Sequence, residues 1–187
     1  MNLTESEEIL PILRSLYLEN PMDGQRKPRI LVLGVGNILL KDEGVGVKTV
    51  EKLLGEYSFS PNVELMDGGT LGMVLMDPIM ACERLIVVDA VVDGRAPGTL
   101  YRLTGVEMGK SVAFKNSMHQ TDLLETLATC KLLGNCPETV VFGMEPKDFD
   151  PWGTELTPPC QARLEDLCQA VLREITDQGG EYRPVAQ

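Results

Sequence analysis

Two stretches of this chain, Ile30-Leu31-Val32-Leu33 and Leu85-Ile86-Val87-Val88, are apolar at every position, and they run straight into Gly34 and Asp89. A strand with one wet face alternates apolar and polar residues, because successive side chains point to opposite sides. An unbroken apolar run describes instead a strand covered on both faces, and double coverage belongs to parallel sheets with helices above and below. The fold class follows: α/β, a single domain with a twisted, mostly parallel sheet and helices on both faces.

The rest of the chain supplies the remaining elements. Val63-Glu64-Leu65-Met66 and Thr139-Val140-Val141-Phe142 are further strands. Thr99 to Leu103 alternates, after the turn signals Asp93-Gly94 and Pro97-Gly98, as an antiparallel edge strand would. Helices are expected after the first strand (capped by Asp42, with Val47, Val50 and Leu54 inward) and from the capping-box pattern Ser117-Met118-His119-Gln120 to a stop at Gly134. Thr157-Pro158 opens the last helix, whose Leu164, Leu167, Cys168, Val171, Leu172 and Ile175 make an inner stripe. Residues 1–28 read as an appendage and linker, 29–178 as the domain and 179–187 as a tail. In the appendage, Ile9, Leu10, Leu13, Leu16 and Tyr17 form an apolar stripe interrupted by Pro11.

Composition removes several classes of function. A formal net charge of -11 opposes a nucleic-acid partner, which needs a basic stripe against phosphates. No apolar run approaches the roughly 20 residues that span a bilayer, and the start of the chain lacks the order of a secretory signal. The cysteines, Cys82, Cys130, Cys136, Cys160 and Cys168, are odd in number and form no C-x-x-C pair. This points to a cytoplasmic protein with reduced, mostly buried thiols. With no strong apolar seam outside residues 9–17, a monomer is expected.

Ligands of open α/β sheets bind beyond the carboxyl ends of the strands. The polar residues there are Asn37, Asp42 and Glu43 after the first strand, Asp67 after the second and Asp89 after the third, with His119 at a helix start. Two carboxylates and one imidazole suit a metal such as nickel or zinc with open positions. The plainer alternatives are acids favoured at a helix start, an aspartate bonding nearby amides, and a structural histidine. Gly34-Val35-Gly36 invites a dinucleotide reading, but Leu39 stands where G-x-G-x-x-G needs its third glycine. These glycines then serve a tight turn and the approach of a bulky partner. With a single histidine, Ser117 and His119 make an improbable triad, H-E-x-x-H is absent, and a paired-aspartate site on Asp67 and Asp89 has no signature. No catalytic nucleophile is identified.

The run Ile30 to Gly46, with Asp67-Gly68-Gly69-Thr70, Val88-Asp89-Ala90, Pro97-Gly98-Thr99, Ser117-Met118-His119-Gln120, Gly143-Met144-Glu145-Pro146 and Leu156-Thr157-Pro158, resembles the hydrogenase maturation endopeptidases across residues 29–177. The resemblance implies a five-stranded sheet. It also implies removal of a C-terminal extension from the large-subunit precursor of a nickel–iron hydrogenase after nickel insertion. It assigns metal ligation to Glu43, Asp89 and His119, with nickel supplied by the substrate and zinc or cadmium able to substitute. Asp67 is better read as a cap for the Gly68-Gly69 turn. The alternative function is a non-catalytic hydrogenase-binding chaperone or subunit of the same fold.

Overall fold

The computed structural model describes residues 26–70, 75–104, 118–149 and 152–185, the side chains of 118–122 excepted. Readings made at residues 1–25 and at Ser117 lie outside the described residues. Among those described, no helix is long and apolar enough to cross a membrane.

Strands β1 (Ile30–Val35), β3 (Val63–Gly69), β4 (Arg84–Ala90), β5 (Leu100–Thr104) and β6 (Glu138–Met144) form one sheet in the order β3-β1-β4-β6-β5. All pairings are parallel except that of β5 with β6, so the alternating stretch is the antiparallel edge expected of it. The chain leaves β1 toward β3, then returns past β1 to β4. The strand order therefore reverses between β1 and β4, and a crevice opens there at the carboxyl ends.

Helices α1 (Val45–Glu56) and α5 (Leu164–Asp177) cover one face. Val50 and Leu53, with Leu167, Val171 and Leu172, pack on Val32, Ile86, Val88 and Phe142. Helices α2 (Met76–Ala81) and α3 (Met118–Leu132) cover the other. There Ile79, Leu123, Leu127 and Cys130 meet Leu31, Leu33, Leu85, Val87 and Val141. Alternate residues of β1 and β4 thus serve opposite cores, which is why both runs are apolar throughout. Each fully buried aliphatic side chain contributes about 2 kcal/mol.

Three expectations need correction. Val47 and Val50 are buried as expected, but Leu54 is 51% exposed and Leu53 fills the inward position in its place. Asp42 does not cap α1, which starts at Val45 after the single helical turn Lys41–Gly44; its carboxylate is used elsewhere. The last helix is divided into α4 (Pro158–Gln161) and α5, although every residue of the anticipated stripe is buried.

The stretch 179–187 is also more than a tail. Tyr182–Pro184 forms β7, antiparallel to β2 (Tyr57–Phe59), and the rings of Tyr57 and Tyr182 meet edge-on at 5.4 Å. At the other boundary, Asn62 Nδ2 donates to the Pro28 carbonyl at 2.9 Å, and Lys27 pairs with Glu181. The domain therefore gathers in residues on both sides of the span read for it.

Candidate active site

Backbone packing builds the crevice before any side chain enters it. The turn after β1 folds back so tightly that a Cβ on Gly36, where φ is +131°, would lie 1.8 Å from the Glu43 carbonyl oxygen. A Cβ on Gly46 would lie 2.0 Å from the carbonyl oxygen of Val88. Glycine at these positions lets the start of α1 sit directly on the ends of β1 and β4. The space beside Gly34 is likewise taken up by Gly46. These glycines serve the expected tight turn, but the close approach they permit is that of the protein's own backbone and not of a bulky partner.

Glu43 and Asp89 reach the same end of the sheet in this way. Glu43 lies in the 41–44 turn, which packs against β4; its Oε2 is closed off from solvent. Asp89 is the penultimate residue of β4 and 2% exposed. It shares the face of Leu85 and Val87, the face that α3 covers. Its Oδ1 accepts a hydrogen bond from the Ala90 N–H at 2.8 Å.

His119 is the second residue of α3. The other end of this helix is fixed at the amino ends of the strands, where the Asn135 side chain donates to the Met80 carbonyl and Glu138 N donates to the Glu83 carbonyl at 3.1 Å. Its 15 residues extend about 22 Å, the length of the strands it crosses, so its backbone begins at the carboxyl end. The side chain of His119 lies outside the described residues. Among those described, no group of three His, Cys, Asp or Glu side chains forms a metal site.

Asp42, one residue before Glu43, does different work. It is 1% exposed. Its Oδ1 accepts from Thr157 N at 2.7 Å, and its Oδ2 accepts from Lys147 N at 3.0 Å, Asp148 N at 3.1 Å and the Thr157 hydroxyl at 2.7 Å. Burial alone would raise its pKa, but these donors outweigh burial and hold the carboxyl below its ordinary value. Lys41 adds an ion pair to Asp148 at 2.7 Å. Asp42 thus locks the Glu43 turn to the loop after β6.

Glu145 is the matching anchor on the far side. It is 3% exposed and accepts from Asp93 N at 3.0 Å, Gly94 N at 3.0 Å and the Tyr101 hydroxyl. Burial pushes its pKa up, but these bonds bring it below the usual value. Neither role was read from the sequence. The available signal was an acid abutting an apolar element, which must find donors if it is buried.

The remaining candidates are structural. Asp67 Oδ1 accepts from Gly69 N at 2.8 Å, the turn cap expected of it. Asn37 Oδ1 does the same for Leu39 N at 3.0 Å. All five cysteines are free, and only Cys136 is exposed. Burial pushes the Cys82 thiol up to about 11 and that of Cys168 to about 12, and it raises Cys130 and Cys160 as well. These four are the reverse of activated nucleophiles. A cavity of about 880 Å³ lies at the amino ends of the strands, among Arg84, Lys131, Glu138 and Glu174; it contains none of the candidate residues.

Known proteins share this fold. The profile of the family described as hydrogenase maturation protease (HycI) matches residues 47–174. The hydrogenase expression/formation protein HupD of Bradyrhizobium diazoefficiens is 42% identical over 151 residues, covering 78% of this chain and 79% of its own. The hydrogenase 2 maturation protease of Escherichia coli is 39% identical over 158 residues, covering 83% of this chain and 96% of its own. The solved structure of the E. coli hydrogenase maturating endopeptidase HybD superposes with a TM-score of 0.78 at 39% identity, over 83% of this chain and 97% of that one.

Proposed function

Because the chain belongs to the hydrogenase maturation protease family, we propose that it removes the C-terminal extension of a nickel–iron hydrogenase large-subunit precursor once nickel has been inserted. In this reading Glu43, Asp89 and His119 receive the precursor's own nickel and so present the cleavage site to the enzyme. The observation that carries it is the convergence of Glu43 and Asp89 at the strand-order reversal, toward the end of the sheet where the helix of the sole histidine begins.

The donor set fits that cargo. Two carboxylates and an imidazole leave positions open for ligands the precursor already holds. The positive end of the α3 dipole disfavours an imidazolium at its second residue, and a neutral ring is what ligation needs. Nickel so held would supply Lewis-acid polarisation of a nearby carbonyl or water. The protein's part is to orient the precursor, with Asp42 and the glycine-packed turn fixing Glu43. A non-catalytic hydrogenase-binding role is the rival, and it is disfavoured because the chain retains all three side chains.

The test compares nickel-free with nickel-loaded precursor, using one preparation of a monomeric, cytoplasmically expressed enzyme, by intact mass. Only the loaded form is expected to be cut, and free nickel added to the enzyme should not rescue the empty one. The enzyme alone should hold little stoichiometric metal, with zinc or cadmium entering opportunistically. Equal cleavage rates would remove metal recognition from the mechanism.

A further inference from the structure

Four large apolar side chains stand exposed beside the path into Glu43: Ile38 at 40%, Leu39 at 43%, Phe149 at 48% and Trp152 at 79%. Trp152 is the chain's only tryptophan. Among the described residues, the other exposed large apolar side chains, Leu54, Leu132, Leu133 and Val185, are scattered over three elements at the opposite end.

The backbone brings these four together. Leu40 and Gly153 form a parallel bridge, in which Lys41 N donates to the Gly153 carbonyl at 2.7 Å and Gly153 N to the Leu39 carbonyl at 2.9 Å. Leu39 and Trp152 are therefore neighbours across that bridge. Asp42 N donates to the Asp148 carbonyl at 3.2 Å, which sets Phe149 at the next step, and Gly44 lets the turn close on the Ile38 backbone. These backbone bonds hold Leu39 beside Trp152 before anything binds, and contacts already in place lose less ordering entropy on binding. It is also continuous with the candidate site, since its first loop runs through Leu40 and Lys41 into Glu43.

We propose that Ile38, Leu39, Phe149 and Trp152 form the docking surface for an apolar segment of the large-subunit precursor next to the bond that is cut, an assignment that rests on the protease reading given above. Among the described residues, the exposed apolar side chains elsewhere are scattered, and only this patch runs into the loop that carries Glu43. A rigid, amphipathic tryptophan in such a patch is the usual kind of energetic anchor.

Cleavage kinetics with nickel-loaded precursor test this. Trp152→Ala and Leu39→Ser should each raise KM about 10-fold or more with kcat retained at saturation, while Leu132→Ser, at the other end, should change neither. Protein carrying fluorinated tryptophan gives a single fluorine resonance, which should shift when unlabelled precursor is added. Unchanged KM in both variants, with wild-type cleavage normal, overturns the docking surface and leaves the protease reading standing. Patch-dependent binding without wild-type cleavage supports the surface and overturns the protease reading. Wild type that neither binds nor cuts precursor overturns both. Self-association through Trp152 in sedimentation, with KM unaffected, overturns the proposal in favour of a second copy of the chain.

Discussion

The two ends of the sheet handle their carboxylates differently. At the amino end, acids pair with cations: Glu83 with Arg26 and Arg29, Glu138 with Arg84 and Glu181 with Lys27 lie in water, and Glu174, itself buried, pairs with the half-exposed Arg102. Exposed pairs of this kind contribute little, because solvent already satisfies both partners. At the carboxyl end, Asp42 and Glu145 are buried and held by N–H and O–H donors from distant loops. A buried carboxylate must be satisfied in full or it destabilises the fold. The amino end therefore tolerates change, whereas the carboxyl end spends buried charge on fixing loops. That rigidity is what a site for a bulky substrate requires.

The largest effects should come from the residues this rigidity serves. Under the proposed nickel recognition, His119→Ala, Glu43→Gln and Asp89→Asn are each expected to abolish precursor cleavage: the first removes the imidazole, and the other two keep shape but lose the anionic oxygen. Circular dichroism and melting temperature should stay near wild type for His119→Ala, which lies at a helix end. Normal processing by all three variants would show that the carboxyl end's order serves another purpose.

Asp42 and Glu43 were indistinguishable as text, since acids next to one another at a helix start look alike. The sheet was legible because burial on both faces leaves a one-dimensional signature, an apolar run in β1 and β4. The candidate trio was legible only as a list of strand-end residues. Which acid turns toward the crevice depends on partners more than 100 positions away, at Lys147, Asp148 and Thr157, and no local pattern encodes that. The same holds for β7, whose three residues become a strand only because β2 offers an edge. Gly46 was read as part of a motif, yet its function is contact with β4, far along the chain.

Asp42→Asn should have an intermediate effect. Each carboxylate oxygen accepts from N–H donors, so the new amide nitrogen must face at least one of them whichever way it turns. The expected cost is about 2–3 kcal/mol, read from chemical denaturation. The pH dependence has a definite sign. Asp42 and Glu145 are held below their ordinary values of 3.8 and 4.5. Their contribution is thus complete above those values and is lost as pH falls through them toward the lower folded-state pKa. Stability of the wild type should decline from about pH 5 to about pH 3, and more shallowly in Asp42→Asn. Equal slopes would mean that Asp42 titrates in the folded protein as it does in the unfolded chain.

The smallest effect lies on the same helix as a large constraint. Gly46 and Gly55 both belong to α1, one in its first turn and one in its last. A Cβ at Gly46 would collide with the Val88 and Val35 carbonyls at 2.0 and 2.3 Å, whereas a Cβ at Gly55 meets nothing within 4 Å. Helical glycine costs conformational entropy wherever it sits, so the one at Gly55 has no packing reason to offset that cost. Gly55→Ala should stabilise the protein by about 0.5 kcal/mol and leave cleavage unchanged, since the amino end does not shape the crevice. A small rise in melting temperature at constant activity would sharpen the contrast between the two ends. A loss of cleavage at unchanged or higher stability would break it, because the amino end would then be communicating with the site through α1.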